Sequence, residues 1–303
     1  MMLQPQTAFA RSDFSRIWAE TFGLKWEPLP SATEVGLVFS ESRRLGLRRY
    51  HLGPRGLYWG GTAEVVDRAL ARCLSSRTLS LTWSFRYDDR QQLEHVRSKL
   101  RLNADGVVQS YSHVLPLENL SLDQLLEQRV KATTRRWVRR AERSGIAVRA
   151  LRTSAEFAAH DAIYRPWARE RDIDPYPAAL FERLGRELGS SATLWGAFGG
   201  ERLLAAALIF RDAREWFYWH GVRDPMRDRD HAMDGLFAHA VGQAIAAGAR
   251  YFNMGASKGI DSLEEFKERW GAERVPVWSL HWLSPLWGRA LGLKRLVLGE
   301  SGT

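Results

Sequence analysis

The sequence predicts a two-domain α/β protein, and three observations support this prediction. At roughly 150 residues per domain, a chain of 303 residues is long enough to form two hydrophobic cores. Its composition, with 45% hydrophobic and 26% charged residues, is typical of globular proteins and excludes collagen-like or wholly disordered chains. Helical and extended apolar patterns alternate along both halves, which indicates mixed sheets covered by helices.

The first half reads as short strands and helices in alternation. Ser12 and Asp13 precede an amphipathic helix that Gly23 ends, and Thr62 begins a second helix. Every second residue from Leu79 to Phe85 is apolar, which is typical of a half-buried strand. The predicted strands of this half span residues 35–39, 47–52, 79–85 and 107–115, and a charged helix spans residues 88–100.

A long basic helix, residues 121–143, separates the two halves. Ser121 and Gln124 have the spacing of a capping box at its start, and Gly145 ends it. Four arginines recur at intervals of seven, four and three residues, so they share one helix face that can bind phosphates. They are Arg129, Arg136, Arg140 and Arg143. The alternative is a solvated face without a ligand.

The second half predicts the order β-α-α-β-β-β-α-β-α-β. Its strands are expected at residues 146–151, 192–198, 202–211, 215–222, 251–255 and 275–283, and its helices at 154–171, 177–188, 233–247 and 262–270. Ser284 and Pro285 then have the pattern of a helix start, which adds a C-terminal helix. We therefore predict domains at 1–120 and 146–303, joined by the basic helix at 121–145.

Charge and composition narrow the classes of function. A net charge of +9 favours acidic partners such as nucleic acid, nucleotide cofactors or an anionic membrane face. The single cysteine, Cys73, excludes an intrachain disulfide, and the dispersed histidines predict no metal site. Neither a Gly-x-Ser-x-Gly elbow nor a Walker-type loop is present, which removes the basis for a hydrolase or NTPase.

Two further patterns bear on location. The longest apolar run, residues 203–210, is far shorter than the roughly 20 residues of a transmembrane helix, so none is predicted. The polar amino terminus lacks the apolar core of a secretion signal, so a cytoplasmic location is expected.

Two segments of the second half resemble a known family. Residues 134–145, TRRWVRRAERSG, resemble the basic segment that precedes the second domain of FemAB-like transferases. Residues 252–255, FNMG, and 266–271, FKERWG, resemble the family's strand ending in glycine and its F-K-x-x-[FW]-G segment. Residues 53–56 resemble a short turn of the same family. The order of elements is that of the GNAT fold, so the resemblance implies two tandem GNAT-like domains.

This resemblance implies the chemistry of the FemAB-like and BioF2-like acyltransferases. We expect an N-acyltransferase or aminoacyltransferase that acts on an amine of a cell-envelope or exopolysaccharide precursor. It implies no tightly bound cofactor, acyl-CoA or aminoacyl-tRNA as co-substrate, and a phosphorylated small-molecule or lipid-linked substrate. The basic helix leaves tRNA open as a partner, and the C-terminal helix leaves open a peripheral membrane contact or packing onto the domain. A coenzyme A-dependent N-acetyltransferase and a non-catalytic module that binds a phosphorylated ligand are the alternatives.

Three residues are the candidates for catalysis. The resemblance implies that Lys267 stabilises the carbonyl of the transferring group. Tyr218 and His220 lie on an aromatic strand, where strict alternation puts both on one face as proton acceptor or orienting hydroxyl. If two neighbouring parallel strands splay, these three side chains face one cleft. The alternative for Tyr218 and His220 is a buried structural role.

Seven residues are the candidates for substrate binding. Phe266 would dock the helix that carries Lys267, while Asn253 and Gly255 end a strand beside the expected cleft. Trp216 shares the predicted face of Tyr218, and three arginines offer bidentate bonds to phosphate. These arginines are Arg136, Arg140 and Arg223. The loop at 222–231 has no glycine pair, so it departs from the usual coenzyme A cradle.

Overall fold

The chain folds into two compact units of mixed α/β structure. The computed structural model describes residues 7–30, 32–53, 57–75, 77–102, 106–224, 230–257 and 260–286. The predicted turn at 54–56, the middle of the loop at 225–229 and the C-terminal helix beyond residue 286 lie outside the described residues. One unit comprises residues 1–110 and 277–303, and the other comprises residues 111–276. The mixed α/β fold confirms the predicted class.

The helices and strands are numbered in chain order. The helices are α1 Ser12–Thr21, α2 Ala63–Cys73, α3 Arg90–Leu100, α4 Leu122–Gln128, α5 Ala132–Arg143, α6 Ser154–Arg169, α7 Ala178–Glu187, α8 Ala232–Ala246 and α9 Asp261–Arg269. The strands are β1 Lys25–Leu29, β2 Ala32–Glu41, β3 Arg48–Leu52, β4 Thr78–Phe85, β5 Val107–Pro116, β6 Ala147–Ala150, β7 Ala192–Gly199, β8 Arg202–Arg211, β9 Glu215–Arg223, β10 Tyr251–Asn253 and β11 Glu273–Leu283. Within the described residues, no helix combines the length and apolarity needed to cross a membrane.

The first unit is built on the strand order β1-β2-β3-β4-β11. Strands β3 and β4 are parallel, and the other neighbours are antiparallel. The sequence prediction missed β1, which contains Pro28. A proline is tolerated there because β1 is an edge strand and its register with β2 shifts next to this residue.

The second unit has the strand order β5-β10-β9-β8-β7-β6. Strands β9 and β10 are parallel, whereas the other neighbours are antiparallel. Alternate residues of β8, such as Ala207 and Ile209, pack in the core that contains α8. On the other face Phe210 contacts Trp219, which packs against Phe181 of α7. Helices therefore cover both faces of this sheet, as the nearly continuous burial of β8 requires.

The boundaries of the units differ from the predicted domains. Strand β11 pairs with β4, so residues 277–283 belong to the first unit rather than to the second. The predicted basic helix is two helices, α4 and α5, and both belong to the second unit, where they pack against α8. The helix breaks at residues 129–131, where the backbone N–H of Lys131 donates to the carbonyl of Arg269 instead of continuing a helix. The predicted capping box of Ser121 and Gln124 is present.

Candidate active site

Strands β9 and β10 diverge at their carboxyl ends. They pair only over three residues, from Glu215 with Tyr251 to Phe217 with Asn253. Strand β9 continues to Arg223 on the side of β8, while β10 has already ended. In an open α/β sheet, such a divergence creates a crevice beyond the strand ends, which is the usual position of a ligand.

A pocket of about 300 Å³ lies at this divergence. Tyr218, Met233, Leu263 and Phe266 are among the residues that give it apolar walls, and Trp137 and Trp167 are aromatic residues of the same lining. Three arginines from three elements also line it, namely Arg171, Arg223 and Arg269. An apolar interior with several arginines suits an acyl group attached to a phosphorylated carrier.

Tyr218 lies on the pocket wall because its neighbour is a glycine. A Cβ added at Gly221 would lie 1.8 Å from the hydroxyl oxygen of Tyr218, so only glycine admits this ring position. The ring also packs edge-on against Phe237 of α8, with centroids 5.1 Å apart. Burial raises the pKa of the Tyr218 phenol above its ordinary value. The phenol is therefore protonated at neutral pH and can donate a hydrogen bond, but it is a poor proton acceptor.

His220 does not face the space that Tyr218 faces, so the prediction of a shared face is wrong. The register of β9 against β8 shifts between these residues, since Tyr218 opposes Ile209 and His220 opposes Leu208. Trp219 is the extra residue of a β-bulge, which sends the next side chain to the opposite face. The His220 ring packs against Tyr164 of α6 and Phe181 of α7.

His220 instead forms a sealed pair with His160 of α6. The two Nε2 atoms lie 3.0 Å apart, and both side chains are buried. Burial lowers the pKa of His160 to about 4, and it lowers the pKa of His220 well below the ordinary value. Both imidazoles are therefore neutral at neutral pH, so one Nε2–H donates to the other Nε2.

Lys267 is also sealed, although the helix that carries it lines the pocket. Leu263, Phe266 and Arg269 of α9 face the pocket, whereas Lys267 is 1% exposed and points away from them. Its ammonium group donates to the carbonyls of Gly255 and Ala256, at 2.9 Å each. Lys267 thus holds the segment that follows β10.

The environment of Lys267 weakens its charge. Burial lowers its pKa to about 7, although the carboxylate of Glu264 opposes this shift. His113 of β5 lies in the same interior, and burial followed by the charge of Lys267 lowers its pKa. Ser257 places its hydroxyl 3.5 Å from Nδ1 of His113. These groups form a polar cluster inside the protein, which we call the sealed cluster: His113, Ser257 and Lys267.

Asn253, Gly255 and Trp216 lie in the interior rather than on the pocket wall. The side-chain oxygen of Asn253 accepts from Ser112 and from the N–H of Gly255, at 2.7 and 2.8 Å, while its nitrogen donates to Glu215 at 3.2 Å. This network fixes β10 between β5 and β9. Trp216 is buried in the α8 core beneath the guanidinium of Arg211. Among the predicted substrate contacts, Phe266 and Arg223 line the pocket and these three do not.

The two arginines predicted on the basic helix lie on the surface of α5. Arg136 and Arg140 are exposed, and Arg140 pairs with Asp230, with 3.1 Å between Nε and Oδ1. Asp230 directly precedes His231, which lines the pocket. The basic surface therefore continues towards the pocket through this ion pair.

Trp137 of α5 is occupied on both faces. The ring of His231 stacks parallel to it at 4.7 Å, and the guanidinium of Arg269 lies 4.8 Å from its centroid. Trp137 therefore joins α5, α9 and the start of α8, so it offers no open face to a nucleic-acid base. The backbone of His231 is in the left-handed region, with a φ of 59°.

Sequence reasoning missed several lining residues of the pocket. Leu263, Phe266 and Arg269 recur at intervals of three on one helix, and this spacing was available from the sequence. His231 and Asp234 flank the start of α8 at a spacing of three, but no motif marks them. Arg171 follows α6, which the sequence gives no reason to place beside β9.

Comparison with known proteins supports the interpretation of the fold. Residues 128–268 match the family described as an acetyltransferase (GNAT) domain. This segment covers most of the second unit and includes β9 and α8, which carry two walls of the pocket. A search of curated protein sequences finds no match.

Solved structures extend the likeness over nearly the whole chain. FemX superimposes with a TM-score of 0.66 and 12% sequence identity, covering 97% of this chain and 99% of FemX. The C-terminal domain of a putative lysylphosphatidylglycerol synthetase from Agrobacterium fabrum gives 0.58 and 13%, covering 95% of this chain and 94% of that domain. L-PGS from Bacillus licheniformis gives 0.55 and 11%, covering 91% and 87%. With the family match, these structures confirm the predicted GNAT fold, the resemblance to FemAB-like proteins and the prediction of an acyltransferase.

Proposed function

We propose that this GNAT-type acyltransferase binds an activated acyl or aminoacyl group in the pocket between the ends of β9 and β10. From there it transfers the group to an amine of a cell-envelope or exopolysaccharide precursor. The observation that carries the proposal is the pocket itself, which combines apolar walls with Arg171, Arg223 and Arg269. Arginine forms strong bidentate bonds with phosphate, and every common acyl carrier of this kind is phosphorylated.

Tyr218 is the residue of the pocket wall that we assign to the reacting group. Its phenol stays protonated at neutral pH, since burial raises its pKa. It can therefore donate a hydrogen bond to the carbonyl oxygen or give a proton to the departing carrier atom. The predicted role of proton acceptor is thus replaced by that of proton donor.

Lys267 acts on this site indirectly in the proposal. Both printed hydrogen bonds of its ammonium group go to backbone carbonyls, and these hold the segment beyond β10 against α9. That segment contains Gly255, whose missing Cβ would lie 3.6 Å from the carbonyl oxygen of Tyr218. Lys267 therefore positions backbone next to the strand that carries the proton donor.

The similar structures favour an aminoacyl donor. The name lysylphosphatidylglycerol synthetase describes a product in which an amino acid is joined to a phospholipid. A second candidate, coenzyme A-dependent N-acetylation, is favoured by the matched family, which is described as an acetyltransferase domain. The loop at 222–231 lacks the glycine pair of the usual coenzyme A cradle, which supports the aminoacyl donor instead.

A binding screen followed by a transfer assay tests the proposal. Thermal unfolding is measured with acetyl-CoA, longer acyl-CoA esters and aminoacyl-tRNA, because a ligand at 100 times its dissociation constant adds about 2.7 kcal/mol to stability. Donors that stabilise the chain are then offered with an amine acceptor, and the amide product is measured by mass spectrometry. The variant Phe266→Ala should lose the stabilisation, whereas Phe157→Ala, which alters a residue outside the pocket lining, should keep it. A chain that no acyl or aminoacyl donor stabilises would contradict the proposal.

A further inference from the structure

The pocket contains a histidine and a carboxylate to which the proposed function gives no role. His231 directly precedes α8, Asp234 lies in its first turn, and both line the pocket. Nδ1 of His231 lies 3.6 Å from Oδ2 of Asp234. We propose that His231 is the general base of the transfer and that Asp234 is the positioning residue that orients its ring.

The backbone at His231 is unusual. Its φ of 59° lies in the left-handed region, which residues with a side chain seldom adopt. His231 occupies the N-cap position of α8, yet its side chain makes no capping hydrogen bond there. The strained backbone therefore does not serve the helix cap. Strain of this kind is concentrated at functional sites, where the surrounding structure maintains it.

Two contacts fix the orientation of the His231 ring. The indole of Trp137 stacks on it with an angle of 9° between the planes, and Arg269 covers the same indole at 4.8 Å. Asp234 approaches Nδ1 from the first turn of α8. Stacking sets the plane of the imidazole and the carboxylate sets its rotation, so Nε2 is the ring atom that the geometry assigns to substrate. Contacts between catalytic groups are often long before substrate binds and shorten in the complex.

Other groups in the described lining of the pocket are poor proton acceptors. The phenol of Tyr218 is protonated, and the guanidinium groups of Arg171, Arg223 and Arg269 keep their charge. His220 and Lys267 are sealed away from the pocket. Imidazole is the side chain that accepts protons most readily near neutral pH, and a carboxylate at Nδ1 leaves Nε2 as the acceptor.

The step rests on the proposed function. The nitrogen of the acceptor amine attacks the carbonyl carbon of the bound acyl group, and a C–N bond forms. Nε2 of His231 takes one proton from this nitrogen. The bond between the carbonyl carbon and the carrier's sulfur or oxygen then breaks, and Tyr218 gives the carrier atom its proton. The products are an amide and the protonated carrier, and solvent returns a proton from His231 to Tyr218.

The first test compares His231→Gln with His239→Gln. His239 lies on the same helix, packs against Trp195 and is absent from the described lining of the pocket. We expect His231→Gln to lower kcat at least about 100-fold with little change in KM, because a general base contributes 10²- to 10⁴-fold. His239→Gln should keep kcat within about threefold of the parent chain, since it removes no base. Equal kcat in the parent chain and His231→Gln would overturn the proposal.

The second test needs no substrate. The ¹⁵N chemical shifts of the His231 ring report which nitrogen carries the proton. The proposal expects an Nδ1–H ring in the parent chain and loss of this preference in Asp234→Asn. The same Nε2–H ring in both proteins would overturn the pairing. If the parent chain transfers no acyl group at all, the proposed function fails, while the ring measurement still decides whether Asp234 orients His231.

Discussion

The pocket and the interior beside it contain similar polar residues in opposite states. In the pocket, Tyr218 and His231 line a cavity that a substrate can enter. In the interior, His220 is paired with His160, and Lys267 is bonded to two backbone carbonyls. Residue type therefore did not distinguish a group available for chemistry from a structural one. A single bulged residue in β9 and the rotation of α9 made that difference.

The largest effect in this comparison is expected from Lys267→Ala. The substitution removes two hydrogen bonds to Gly255 and Ala256 and leaves a cavity, so it should lower the free energy of unfolding by about 3 kcal/mol. Lys131→Ala removes an exposed lysine and should leave stability nearly unchanged. Urea unfolding of both variants provides the measurement. Unchanged stability with abolished transfer would instead support the role in carbonyl stabilisation that the family resemblance implies.

Removal of one oxygen tests the pocket side. Tyr218→Phe keeps the ring against Phe237 but deletes the proton donor, so kcat should fall about 100-fold with stability preserved. The matched control is Tyr164→Phe, whose hydroxyl accepts from the backbone of Tyr176 on the α6 side. Steady-state rates on an identified donor decide between them. A larger loss of kcat in Tyr164→Phe would reverse the comparison of the two sides.

The basic surface of α5 should affect binding and leave chemistry unchanged. Arg136→Gln with Arg140→Gln is expected to weaken aminoacyl-tRNA binding and to flatten its salt dependence, since each phosphate contact contributes about 0.9 to the logarithmic slope. The control changes Arg202 and Arg214, two exposed arginines at the connections of β8. Titrations at several salt concentrations supply the slopes. Identical slopes in both double variants would leave α5 as a solvated face.

The smallest effect concerns the pH dependence of stability. His160 and His220 have lower pKa values in the folded chain than in the unfolded chain, because burial disfavours their charged forms. As the pH falls below about 6.5, the unfolded chain binds protons that the folded chain does not, so stability decreases towards pH 4. Urea midpoints at pH 7 and pH 5 should therefore differ less in His160→Gln than in the parent chain. His95→Gln, which changes an exposed histidine, should behave like the parent.

The sequence predicted the elements well but not their relations across the sheet. The order of strands and helices in the second half and the capping box of α4 follow from local patterns, and the structure confirms the capping box. The face of His220 did not follow, because strict alternation fails at a bulge that no local signal announced. Lys267 and Asn253 were recognised as special, yet their partners come from backbone distant in sequence. Burial of a polar side chain depends on such tertiary contacts.

A structure of the chain with a stable analogue of the activated donor tests the central claim most directly. The account predicts that the carbonyl of the analogue lies in the pocket within hydrogen-bonding distance, about 3 Å, of the Tyr218 hydroxyl. It further predicts that the carrier's phosphates contact Arg171, Arg223 or Arg269. An analogue bound elsewhere, with its carbonyl at Lys267 or His220 and the pocket empty, would contradict the account.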